Sequence, residues 1–133
     1  MMNIYTISDD AQAEWHWVKP YIERAIGRNV DGYDAERILR SVLRHEAVFL
    51  VIKKNDKVVM VSTIEILPEA LNVHTMTGDN MADWLHPFDD ALTAMAKAFD
   101  KKNITSLSRR GMAKIMQTGQ WRPHSVMMAR AVQ

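Results

Sequence analysis

A mixed α/β domain, its sheet antiparallel through the centre and covered by helices on both sides, is the fold class this sequence predicts. Three observations carry it. Two β-branched, apolar runs flank Asn55-Asp56, so that "AVFLVIKK" (Ala47 to Lys54) and "KVVMVSTIEIL" (Lys57 to Leu67) read as a hairpin around a polar turn. Apolar residues at three- and four-residue spacing mark helices both before and after that hairpin. The resulting order, β, α, α, β, β, β, α, β, α, β, requires a sheet that mixes parallel and antiparallel neighbours.

The elements follow in turn. "IYTI" (Ile4 to Ile7) opens the order as a strand. "AQAEWHWVKPYIERAI" then places Trp15, Val18, Ile22 and Ala25 at helical spacing, with Pro20 either kinking the segment or marking its restart. In "DAERILRSVLRHE", Asp34 can cap a second helix on which Ile38, Val42 and His45 share a face beside Leu39 and Leu43. Pro68 ends the second strand of the hairpin, and "ALNVHTMT" (Ala70 to Thr77) forms the next one. The longest helix is expected from about Pro87, where a proline suits the first turn, with Phe88, Leu92, Met95, Ala96 and Phe99 on one side. A short strand "ITSLS" (Ile104 to Ser108), a helix "GMAKIMQTG" stopped by glycine and a closing strand in "RPHSVMMARAV" complete the chain.

Length and composition narrow the function. The 133 residues, 47% hydrophobic, fit a single domain (1–133) with an ordinary core. A net charge of +1 supplies no broad field for nucleic acid or an anionic membrane, so such a partner needs a local patch. Arg37, Arg40, Arg44 and the Lys53-Lys54 pair would have to cluster to form one. The absence of cysteine removes disulfides, thiolate nucleophiles and cysteine-bound zinc. His16, His45, His74, His86 and His124 show no ligand spacing, so no metal is expected. With neither a leader pattern nor a bilayer-length apolar run, the expected location is the cytoplasm. Of the four tryptophans, Trp17 stands out as a possible partner anchor, because it cannot share a helix face with Trp15.

The order of elements resembles that of the GCN5-related N-acetyltransferases (GNAT). It is similar in particular to the short GNAT-like proteins of tailed bacteriophages. The most specific parts are "Trp84-Leu85-His86-Pro87" entering the long helix and the C-terminal "RRGMAKIMQTGQW" followed by a strand. The resemblance implies a GNAT-like acyl-CoA N-acyltransferase fold over nearly the whole chain. It also implies that the turn after the fourth strand is where a cofactor, acetyl-CoA, would rest its pyrophosphate on free main-chain donors.

That turn departs from the family's pattern of Arg/Gln-x-x-Gly-x-Gly/Ala. Here it is Thr77-Gly78-Asp79-Asn80, with one glycine and no arginine, and Asp83 close behind. A turn capped by Asp79 or Thr77 is expected, with the carboxylate occupying the donors that a phosphate would use. Cofactor contacts, if made, fall to Met76, Thr77, Gly78 and Asn80. Arg109 and Arg110 join them as a basic pair after a strand, within a Ser-x-x-Gly-x-Ala spacing that imitates the missing motif. For acetyl transfer the base candidates are Glu65 and His74, both on strands, with Glu65 sharing a face with Val59, Val61 and Thr63. The family's usual acid, a tyrosine on the last helix, is replaced by Ile115 or Met116, which have no proton to donate.

The function expected from these departures is that of a GNAT-like domain with a degenerate acetyl-CoA site, a non-catalytic protein that binds a virion or host partner. The alternative is an acetyl-CoA-dependent N-acetyltransferase acting on a protein or small-molecule amine. Host-cell cytoplasm or the virion is the location that the phage resemblance implies. A homodimer through a sheet edge or the C-terminal strand is a further expectation.

Overall fold

The computed structural model describes residues 1–27, 34–106 and 121–122. Within them lie β1 (Met2–Ile7), α1 (Ala11–Ile26), α2 (Ala35–Leu43), β2 (Ala47–Lys54), β3 (Lys57–Ile66), β4 (Ala70–Gly78), α3 (Met81–Ala98) and β5 (Asn103–Ser106). The strands form one sheet in the order β1-β2-β3-β4-β5. The first three pairings are antiparallel, and β4–β5 is parallel. A parallel pair cannot be joined by a tight turn, and α3 is the crossover between its two strands.

Two cores sit on opposite faces of the sheet. One joins Trp15, Val18 and Ile22 of α1 and Ile38 and Val42 of α2 to Phe49 and Val51 of β2, with Trp15 stacked on Phe49 at 6.0 Å between ring centroids. The other joins Trp84, Phe88 and Leu92 of α3 to Leu50, Met60 and Leu71. Residues Ala47 to Ile52 are consequently buried on both faces, which explains why β2 is a continuous apolar run rather than an alternating one.

The central hairpin forms as expected: Asn55 (φ 53°) and Asp56 (φ 64°) both take the left-handed conformation that a two-residue turn of this hand requires. Asp34 caps α2, its carboxylate accepting from the Arg37 N–H at 2.7 Å. Three expectations change. His45 lies beyond the end of α2 rather than on its inner face; it has φ 64° and is exposed, with Nε2 2.7 Å from Asp9. The long helix begins at Met81, so Pro87 is inside it instead of in its first turn. Proline there removes one helical hydrogen bond, but burial of Trp84, Leu85 and Phe88 on one stripe outweighs that local cost. Finally, Val59 does not share the Glu65 face. A bulge between Ile52 and Lys53 in the β2–β3 register places Val59 against the α3 core, while Val61 packs beneath α1 and α2.

A second bulge shapes the site. The register passes from Thr63↔Thr75 to Ile64↔Val73, leaving His74 as the extra residue. Side chains replace the disrupted ladder: the Thr63 N–H donates to Thr75 Oγ1 at 3.1 Å, and the Ser62 hydroxyl donates to the Thr75 carbonyl at 2.6 Å. The bulge reverses the alternation of β4. Leu71 and Val73 before it and Met76 after it face the α3 core, while Thr77 reaches across to α1.

Gly78 pairs with Met60, and a Cβ on it would sit 2.5 Å from the Val59 carbonyl oxygen. Close backbone approach therefore requires glycine here whatever the turn binds. Gly78→Ala is expected to lower stability by about 1–3 kcal/mol, the usual cost of an overpacked site. Urea unfolding of the two proteins measures this; equal stability would show that β3 and β4 can separate without penalty.

Candidate functional site

Four of the sequence-predicted residues, Met76, Thr77, Gly78 and Asn80, lie together at the step from β4 into α3. The Thr77 hydroxyl donates to the Tyr21 carbonyl at 2.9 Å, tying the end of β4 to α1. Asn80 occupies the N-cap position with φ 54° and makes no side-chain capping bond. The Asp79 carboxylate accepts from Arg24 at 3.1 Å and remains largely exposed, while its carbonyl accepts from the Trp84 indole at 2.7 Å. Asp83 lies 3.8 Å from Lys54.

The expected cap by Asp79 or Thr77 is thus not formed. Arg24 offers Asp79 a charged donor, and the Trp84 indole holds the peptide so that its carbonyl, not its carboxylate, turns to the helix. Of the N–H groups at this mouth, those of Asp79 and Asp83 donate to the Val59 and Asn80 carbonyls, and none has a side-chain acceptor among the described residues. Each of the two aspartates also has a cation beside it. This is an anion-accepting arrangement: main-chain donors and the positive end of a helix, with nearby negative charge partly neutralised.

Glu65 stands elsewhere. It faces Asn72 across the β3–β4 pair, its Oε1 accepting from the Asn72 amide at 2.7 Å. The Thr105 hydroxyl donates to the other end of that amide at 2.7 Å, so one polar chain crosses three strands. Asn72 is six residues before Gly78, roughly 20 Å along the strand, whereas the half-buried His74 is four residues, roughly 13 Å, from it. His74 is therefore the nearer of the two base candidates to the helix mouth.

Glu65 also lines a groove of about 380 Å³. Arg37, Arg40 and Ser41 of α2 and Arg44 at its C-cap line it too, repeating at three and four residues. Glu46, Ile66 and Leu67 complete its lining. The five-residue basic cluster does not assemble, because Lys53 and Lys54 are at the far end of β2. Lys53 lies over the Tyr5 ring at 5.5 Å. Arg109 and Arg110, like Ile115 and Met116, lie outside the described residues.

Asp89 escaped the sequence analysis, although its position one turn after Leu85 on the apolar stripe was a signal. It is 7% exposed; Oδ1 accepts from the Trp121 indole at 2.6 Å, and Oδ2 has no partner among the described residues. Burial pushes its carboxyl above the usual carboxylate range, opposed by the Trp121 hydrogen bond and by His86. Trp17 packs edge-on against Tyr21 at 6.3 Å and donates to Glu14. Among the described residues no three His, Asp or Glu side chains converge as a metal site, and no helix is long and apolar enough to cross a membrane.

Acetyltransferases are among the solved structures that share this architecture. The chain superposes on a ribosomal-protein-alanine N-acetyltransferase from Brucella melitensis biovar Abortus with a TM-score of 0.68 and 15% identity, covering 98% of this chain and 100% of that one. An aminoglycoside acetyltransferase from an uncultured soil metagenomic sample gives 0.70 at 10% identity, covering 100% and 99%. A predicted acetyltransferase from Clostridium acetobutylicum, solved with acetyl-CoA, gives 0.69 at 10% identity, covering 98% and 96%. No family model matches the sequence, and no curated protein matches it. The fold is the GNAT acetyltransferase fold, a mixed sheet with helices on both faces.

Two outcomes are expected from this geometry. Thr75→Val strips the Thr63 N–H of its acceptor inside a buried bulge and should cost about 1–3 kcal/mol, with Thr75→Ser retaining most of it; chemical denaturation separates the two. For Asp89, a raised folded pKa means extra proton binding by the native state. Its contribution is complete below about pH 3.9 and is lost as pH rises through the folded value. Between pH 4 and 7 the wild type should therefore lose more stability than Asp89→Asn in parallel urea titrations; a pH-independent gap would contradict the assignment.

Proposed function

We propose that this protein is an acetyl-CoA-dependent N-acetyltransferase whose coenzyme rests its diphosphate on the main chain between Gly78 and the first turn of α3. The observation that carries this reading is the mouth of α3, where Asp79 turns its carboxylate to Arg24 and the helix N–H groups have no side-chain acceptor. The solved neighbours support it: acetyltransferases share the fold, and one was solved with acetyl-CoA.

In the proposed reaction an acceptor ammonium gives one proton to a base, His74 or Glu65. The freed nitrogen attacks the thioester carbonyl carbon; the C–N bond forms, the C–S bond breaks, and the thiolate leaves to take up a proton. The overall change is ammonium plus thioester to amide, thiol and one released proton. No described side chain is assigned the role of acid, so solvent protonates the thiolate.

A second reading, a non-catalytic phage-type domain acting through a virion or host protein, is favoured by one feature. Asp79 and Asp83 put two carboxylates beside the diphosphate position, and neither is matched by an arginine within the turn.

A thermal-shift titration discriminates between them. Millimolar acetyl-CoA should raise the melting temperature by roughly 10 °C if it reaches about a hundredfold excess over its Kd; no stabilisation at that concentration removes the enzyme reading. Asp79→Arg should tighten coenzyme binding by about threefold to tenfold, through loss of a repulsive charge and release of Arg24. Unchanged or weaker affinity would place the diphosphate elsewhere.

A further inference from the structure

The groove between α2 and the end of β3 holds chemistry that the coenzyme reading does not use. Arg40 of α2 and Arg44 at its C-cap line the same 380 Å³ space as Glu46 and Glu65, and neither arginine forms an ion pair among the described residues. Glu65 commits one oxygen to Asn72 and leaves the other without a hydrogen bond among the described residues. Ser41 adds a hydroxyl, whose own proton goes to the Arg37 carbonyl, so its lone pairs remain as acceptors. Arg40, Arg44, Glu46 and Glu65 thus share one small cavity without an ion pair between them among the described residues.

A ligand with only one sign of charge would satisfy half of this lining and be repelled by the rest. We propose that the groove binds a small zwitterion, a primary ammonium held by the free oxygen of Glu65 together with an oxyanion held by Arg40 and Arg44. The cavity is at the small end of the range for molecular ligands, which suits an acidic amino acid or a phosphorylated amine rather than a polypeptide. Guanidinium groups recognise carboxylate and phosphate by the same forked hydrogen bonds, so the shared requirement is an amine and an oxyanion a few bonds apart. Naming this ligand the acetyl acceptor rests on the transferase reading; its binding does not. Glu65 would then meet the ammonium through the oxygen that Asn72 leaves open, with Asn72 and Thr105 fixing the carboxylate plane.

The test is an NMR titration of the full chain, nitrogen-labelled and without coenzyme, using four probes: L-glutamate, O-phosphoethanolamine, glutarate and propylamine. Glutamate or O-phosphoethanolamine should bind with a Kd of about a millimolar or tighter, shifting the amides of α2 and the end of β3, and the tighter of the two identifies the oxyanion as carboxylate or phosphate. Glutarate and propylamine, each lacking one charge, should bind at least about tenfold more weakly. Arg44→Ala and Glu65→Gln should each weaken the zwitterion by about tenfold while leaving the rest of the spectrum in place. Failure of both zwitterions to bind, glutarate binding as well as glutamate, or affinity unaffected by both variants would each overturn the proposal. A parallel titration with acetyl-CoA reports on the coenzyme site alone, so loss of that reading is seen separately.

Discussion

The bulge at His74 is the constraint on which the rest of this molecule depends. One extra residue in β4 reverses the direction of every later side chain, which lets a single strand supply Leu71 and Val73 to one core and then Met76 to that same core from the opposite parity. Without the extra residue Met76 would turn toward α1 and Thr77 toward α3, burying a hydroxyl away from the Tyr21 carbonyl that now accepts it. The bulge survives in the interior because its stray backbone groups are satisfied. Thr75 gives Oγ1 to the Thr63 N–H, also donates to the Thr63 hydroxyl, and receives the Ser62 hydroxyl at its carbonyl.

The same parity change separates two kinds of chemistry along one strand. Before it, Asn72 holds Glu65 beneath α2; after it, the chain runs straight into the α3 mouth. Electrostatics then differ at the two places. Around the mouth, each aspartate has a neighbouring cation on another element, Arg24 or Lys54, and main-chain dipoles dominate. In the α2 groove Arg40, Arg44 and Glu46 stand at the exposed surface without an ion pair among the described residues, available to hold something polar.

Much of the fold was legible because local rules and burial agree. Asn55-Asp56 tolerates the left-handed backbone that a tight hairpin demands, and Asp34 precedes a helix with a free N–H within reach. Where they disagree, packing wins: Pro87 suits a first turn, yet the apolar stripe from Trp84 to Phe88 carries the helix through it. The bulges could not be read, since each is a property of two strands in register. The turn was misjudged for a related reason. A capping rule weighs only neighbours in sequence, but the partner that takes the Asp79 carboxylate, Arg24, is 55 residues away. Glu65 and His74 were both found as polar residues on strands, while the amide that orients Glu65 and the cavity around it emerge only from register and helix placement.

Strand order that equals chain order has a kinetic meaning. β2, β3 and β4 are joined by connections of only a few residues, so the entropy lost in closing each is small. The outer strands arrive over longer spans: β1 across two helices, and β5 across one. By loop-closure entropy alone, the three-stranded meander is the part of the sheet that loses least on pairing, and β1 and β5, which close over helices, lose most.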